Sequence, residues 1–262
     1  MYYIILLLLA IFPSVVILSI VYKKDKEKEP SKLLVSLFGV GILSCFLTVL
    51  ISSITQVIFP IFKTDVIEQK EVSYLFLAIY SLFQVGLIEE FSKWIFNYSI
   101  CWNNKEFDHI YDSIVYSVFV SLGFATFENI LYVLEGGIGT GILRAILSVP
   151  GHAFFATNMG YYIGMSKIAS INNRKELSIK YKIYSLLVPT ILHGFFDFCL
   201  LSGNILLILI FLTVIVFLYI NSIKKIKQFS KINLKLFNNV KYCPICKKET
   251  AGNYCPFCGQ KL

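Results

Sequence analysis

Charge is scarce in this chain. Asp, Glu, Lys and Arg make up 15% of its 262 residues, where soluble domains carry about 25%. With 56% apolar residues and a mean hydropathy of +0.71, that shortfall excludes an ordinary soluble domain. Histidine is scarcer, with three in all. The sequence has no G-x-S-x-G, no H-E-x-x-H and no Walker A motif. A serine-hydrolase elbow, a helical zincin pair and a P-loop are therefore excluded. No serine–lysine dyad stands out. Cys45, Cys101 and Cys199 have no activating histidine close in sequence and read as small apolar fillers. No basic stretch precedes the first apolar run, and lysines follow it directly. A cleaved signal peptide has the opposite polarity, so the run reads as a retained anchor.

What the chain has is a series of apolar runs of about 20 residues, the length that crosses a bilayer. Seven spans are expected, over 2–22, 33–61, 72–99, 110–134, 141–167, 184–202 and 204–223. The fold class is an all-α polytopic membrane protein with a small tail. The loops sort the basic residues, twenty on one side against Lys63 and Lys70 on the other. The positive-inside rule then puts the N-terminus outside and the C-terminus in the cytoplasm of a cell membrane. The net charge of +8 thus faces lipid headgroups and cytosol, and no nucleic-acid partner is expected.

The tail carries the other four cysteines. Cys243, Cys246, Cys255 and Cys258 form C-x2-C, eight residues, C-x2-C. Two close thiolate pairs are what tetrahedral Zn2+ takes in a closed structural site. "CPFCG" resembles a zinc-ribbon knuckle, while "CPICK" lacks the glycine. A ribbon this short depends on its metal to fold. The expected organisation is a membrane domain over 1–223, a basic juxtamembrane linker over 224–241 lying on anionic lipid, and a zinc ribbon over 242–262.

Inside the apolar runs lie the residues that need a reason. "GLIEEFSKWIF" places Glu89, Glu90 and Lys93 in the third span. Each costs about 2.5–3.5 kcal/mol at the bilayer centre on insertion scales. By the helical period Lys93 falls between the two glutamates, so it can neutralise one and leave the other to hold water. The fourth span has Glu128 and Tyr132, an i,i+4 pair able to hydrogen-bond, with Gly123 and Ala125 small enough for close helix approach. Asp112, in its first turn, faces nearly the opposite way, so a helix-dipole role stands beside a site role for it. In the fifth span Arg144, Ser148, Gly151, His152 and Phe155 share one stripe, beside Pro150. In the sixth, His193 and Asp197 are i,i+4. Gly136, Gly137, Gly139 and Gly141 suggest a mobile entrance on the outer side.

Intramembrane ionisable residues are functional candidates. A glutamate that activates water, with histidines that polarise a carbonyl, is the chemistry of amide hydrolysis. The same groups can instead hold Zn2+ with a glutamate as base. Glu, His and Asp chains also relay protons in transporters, although no internal repeat is evident. An inactive scaffold or zinc-responsive regulator is the third reading.

E-E-x-x-K (Glu89, Glu90, Lys93), F-E-x-x-x-Y (Phe127, Glu128, Tyr132), R…P-x-H (Arg144, Pro150, His152) and H-x-x-x-D (His193, Asp197) resemble the PrsW family of intramembrane proteases. The blocks cover about residues 86–200, in that family's order. That family is distantly similar to CAAX-prenyl proteases. The resemblance implies that Glu89 or Glu90 activates water and that His152 helps bind it. It implies that His193, oriented by Asp197, stabilises the oxyanion and that Glu128 is an accessory acid or supports the site from behind; use of a catalytic metal stays open, with none the expectation. It implies a membrane-bound protein substrate, an anti-sigma factor in one branch. "YDSIVYS" has serines where the family pattern leads one to expect glycines.

Overall fold

Apolar runs of this length satisfy their backbone internally only as helices, and helices dominate the computed structural model. It describes residues 1–63, 72–232, 240–251, 255 and 257–261. Lys70 and residues 233–239 of the expected linker lie outside the described residues. The helices are α1 (Tyr2–Lys24), α2 (Ser31–Ile58), α3 (Tyr74–Cys101), α4 (residues 112–136), α5 (residues 138–171), α6 (Lys175–Leu201) and α7 (Ile205–Ile232). A short 3-10 turn, Pro60–Phe62, follows α2.

Among the described residues, six continuous helical stretches are long and apolar enough to cross a membrane. One of them, of 60 residues, would reach about 90 Å if straight, three times the hydrocarbon thickness. It folds back at Gly137, which has φ 72° and ψ −162°, a conformation open to glycine and costly for other residues. The two arms then pack antiparallel. A Cβ on Gly160 would lie 2.4 Å from the Ser113 carbonyl oxygen, and Ser121 donates to the carbonyl of His152 at 3.1 Å. Seven helical segments of spanning length result among the described residues, as expected. The glycine-rich segment is not a loop, however. It is helical on both sides of a single reversing residue.

α4 lies at the centre of the bundle. Its Asn129 donates to the Ala10 carbonyl of α1 at 3.0 Å. A Cβ on Gly123 would sit 2.1 Å from the Phe38 carbonyl oxygen of α2, so the expected close approach at that glycine is present. The outer helices α1, α2 and α7 expose Leu8, Phe12, Val49, Val57, Leu206 and Phe217, the apolar surface that lipid covers. Cys45, Cys101 and Cys199 are buried and unbridged, as fillers should be.

Two boundaries differ from expectation. α6 begins nine residues before the predicted start of its span, at Lys175. α7 runs on to Ile232, because nothing in "KKIKQFSKI" interrupts a helix, so the boundary expected at 223 falls within it. Beyond it β1 (Val240–Tyr242) pairs antiparallel with β2 (Glu249–Ala251).

Candidate active site

The site begins with an irregularity in α3. Residues Tyr80–Leu87 form a wider π-helical turn, of the kind often found beside functional groups. Gly86 in that turn meets Gly194 of α6, where an added Cβ would lie 2.9 Å from the Gly194 nitrogen. Two glycines in register let α3 and α6 touch backbone to backbone. The next turn of α3 then brings Glu89 and Glu90 against His193.

Glu90 is fully buried. Its Oε1 accepts from Lys93 Nζ at 2.9 Å and lies 2.9 Å from His193 Nδ1. Glu89 points into a cavity instead. Its Oε2 lies 3.1 Å from Lys93 Nζ and 3.8 Å from His193 Nε2. Lys93, also fully buried, does more than neutralise one glutamate. It lies between the two and reaches both, and its Nζ is 3.2 Å from His152 Nδ1. All three ammonium hydrogens thus have acceptors, and the Phe124 ring lies 3.9 Å below the charge, a cation–π contact.

This wiring sets the histidine tautomers. An ammonium can only donate, so His152 Nδ1 accepts and Nε2 carries the hydrogen. Nε2 lies 3.2 Å from Glu128 Oε2. A carboxylate can only accept, so His193 Nδ1 donates to Glu90 and Nε2 faces the cavity. There it is 3.2 Å from Asp197 Oδ2. The His193 ring stacks on Phe155, centroids 4.8 Å apart.

Arg144 completes the set from the other side. Its Nη2 donates to Glu128 Oε2 at 2.6 Å and its Nε to Asn129 Oδ1 at 2.7 Å. Tyr132 does not follow the expected pairing along α4. It lies under Arg144, with the guanidinium 4.1 Å from its ring, because both oxygen-seeking partners of Glu128 come from α5. The backbone around Arg144–Ser148 is π-helical. Pro150, with no N–H to give, follows in the next turn.

These groups line one cavity of about 780 Å3. Glu89, Glu128, Arg144, His152, His193 and Asp197 belong to its polar lining, among leucines and phenylalanines from α5, α6 and α7. The sequence candidates from four helices therefore meet in one place. Asp112 does not join them. It sits at the other end of α4, its Oδ2 accepting from the backbone amides of Asp108 and His109 at 3.1 and 2.6 Å. Asn129 and Phe124 were not anticipated. Asn129 follows Glu128 in an apolar span, and that polar break was its only signal.

Glu89, His152 and His193 each offer a ligand atom within 4.8 Å of the others. Two imidazoles and a carboxylate are a known zinc donor set. As wired, however, these residues do not fit a divalent ion. His152 Nε2 carries its hydrogen, and moving it would set Nδ1–H against an ammonium 3.2 Å away. Lys93 is itself a cation 3.1 Å from the carboxylate ligand.

The tail holds a different set. Sγ of Cys243 is 3.5 Å from that of Cys258, and Sγ of Cys246 is 3.3 Å from that of Cys255. Zinc bonds of about 2.3 Å at tetrahedral angles call for sulfurs about 3.8 Å apart, so this cluster can bind zinc. The two knuckles turn alike. Gly259 at φ 76° donates to Cys255, and Lys247 at φ 57° donates to Cys243. The missing glycine of "CPICK" is thus replaced by a lysine in the left-handed conformation.

Residues 29–221 match the family model described as "PrsW family intramembrane metalloprotease". Among similar proteins is Protease PrsW of Oceanobacillus iheyensis, 35% identical and covering 83% of this chain and 93% of that protein. Protease PrsW of Geobacillus kaustophilus is 39% identical, over 72% of this chain and 77% of that protein. Protease PrsW of Bacillus subtilis is 33% identical, over 86% and 95%. No solved structure matches the chain.

Proposed function

The chain belongs to the PrsW family of intramembrane metalloproteases, and on that premise we propose that Glu89 activates the water that cuts its substrate. The chain is a multi-pass membrane peptidase. The observation that carries the assignment is the unequal placing of the two glutamates. Glu90 is enclosed and committed to Lys93 and His193, whereas Glu89 lines the cavity.

The steps follow from the wiring. Glu89 takes a proton from water, with Lys93 as its countercharge. The hydroxide adds to the scissile carbonyl carbon. His193, its ring held by the Nδ1–H bond to Glu90 and charged as the imidazolium beside Asp197, donates a hydrogen bond from Nε2–H to the developing oxyanion. Glu89 returns its proton to the amide nitrogen as the C–N bond breaks. His152 and Glu128, fixed by Lys93 and Arg144, position the water. No step passes through a metal.

The substrate is a membrane protein whose spanning segment unwinds into the apolar cavity, since a helical backbone has no free carbonyl to offer. A regulatory protein of the anti-sigma-factor kind is the proposed class. The N-terminus lies outside and the tail in the cytoplasm, by the distribution of lysines and arginines. The tail is a structural zinc ribbon joined by a basic linker to the membrane domain.

The family's description as metalloproteases supplies a second reading, in which Lys93 would have to release Glu89 and His152 to a catalytic metal. A metal count separates the two. One zinc per chain, lost on deleting residues 242–262, fits the glutamate reading. A metal that survives that deletion and is lost in His152→Ala fits the second.

A further inference from the structure

At the opposite end of α4 from the active site, three acidic side chains converge. Asp25 follows α1, Glu29 precedes α2, and Asp112 opens α4. Each offers a carboxylate oxygen within 4.8 Å of the others. All three are buried, at 5%, 6% and 0% exposure. The proposed reaction uses none of them.

Two of the carboxylates have fixed partners. Asp112 Oδ2 accepts two backbone amides, and Glu29 Oε2 accepts the Tyr116 hydroxyl at 2.7 Å. Oδ1 of Asp112 and Oδ2 of Asp25 are buried without a partner. The Lys28 and His109 charges act on Asp25, but neither group closes on the cluster. Lys28 is turned to the backbone carbonyls of Tyr22 and Asp25. His109 approaches Asp112 only to 4.0 Å and is engaged by Asp108 at 2.5 Å. Fixed donors hold part of the cluster, and two of its oxygens stay buried without a partner.

We propose that Asp25, Glu29 and Asp112 bind one hard divalent cation of the Mg2+ or Mn2+ class, which clamps the α1–α2 connection to the start of α4. An all-oxygen set with three negative charges selects such ions. The tail thiolates and the histidines of the cavity suit softer metals. The cation adds positive charge at the centre of three carboxylates. It also ties three helices together at one face of the bundle.

The test uses the full chain in detergent, stripped with chelator and titrated with Mn2+, with the free ion followed by electron paramagnetic resonance. The wild type is expected to bind one Mn2+. Glu89→Gln and Cys258→Ser should bind it equally, which removes the cavity and the tail as sources. Asp112→Asn and Glu29→Gln should bind at least about tenfold more weakly, since even outer-shell losses cost that much. Thermal unfolding gives a second reading. Mn2+ at about 100 times its Kd should raise the wild-type Tm by about 5–10 °C and that of each variant by no more than about half as much. In chelator the variants should unfold no lower than the wild type, because a repelling charge has gone. If Asp112→Asn does not accumulate, Glu29→Gln decides. No Mn2+ bound at millimolar concentration, or binding and Tm shifts equal in wild type and variants, would overturn the site and leave shared protons as the neutralising charge.

Discussion

Removing Lys93 should unsettle both the fold and the site. Lys93→Met keeps an unbranched chain of similar volume but deletes the three donors to Glu89, Glu90 and His152. Glu90 is fully enclosed, so its charge loses its cationic partner with no access to water. Breaking a buried ion pair on one side costs about 3–5 kcal/mol. Glu89 has 11% of its side chain exposed and can be rehydrated from the cavity, which places the expected loss near the lower bound, about 3 kcal/mol. Adding Glu90→Gln removes the stranded charge. The double variant should recover stability, with a coupling of about 2 kcal/mol, within the range for contacting residues. Neither variant should cleave substrate, since His152 loses its tautomer partner. Unfolding by SDS titration in mixed micelles measures the stabilities. A Lys93→Met variant within about 0.5 kcal/mol of wild type, the range of unremarkable surface changes, would refute the reasoning.

Other consequences are open to direct measurement. Gly194→Ala adds a Cβ 2.8 Å from the Leu82 Cα; it should part α3 from α6, cost about 1–3 kcal/mol and reduce cleavage by moving His193 off Glu90. Arg144→Ala frees Glu128 from its shortest partner and should slow cleavage by about 10–100-fold, the size of a positioning effect, with little change in SDS-unfolding stability. Cys258→Ser should release zinc from the tail, read by metal analysis, and leave the membrane helices intact by circular dichroism. Burial, opposed by the Tyr116 hydroxyl and reinforced by the Asp25 charge, pushes Glu29 up to about 7 from 4.5. Its folded form holds the proton more tightly than its unfolded form, so in chelator stability should fall as pH rises from about 4.5 to about 7; Glu29→Gln should flatten that slope in Tm measured against pH.

The helical period alone placed Lys93 between the glutamates and His193 beside Asp197, because both relations are local to one helix. It also gathered Arg144, His152 and Phe155 into one stripe. The partners across helices were beyond it. That Lys93 serves Glu89, Glu90 and His152 together depends on how α3 meets α5. That Glu90, and not Asp197 alone, holds His193 depends on the Gly86–Gly194 crossing. Tyr132 was misjudged because an i,i+4 neighbour was available and the guanidinium of another helix won. The glycine cluster read as a loop because composition cannot tell one reversing residue from a flexible stretch. The Asp25, Glu29 and Asp112 group spans two connections, and no pattern within one element reveals it.

The central claim is that Glu89 carries the chemistry. Protein termini newly formed in membranes of cells making the wild type should be compared with those in cells making Glu89→Gln at matched levels. Termini that appear only with the wild type, and that map into the spans of single-span proteins, are the predicted result. The same termini with Glu89→Gln, or none with the wild type, would contradict it.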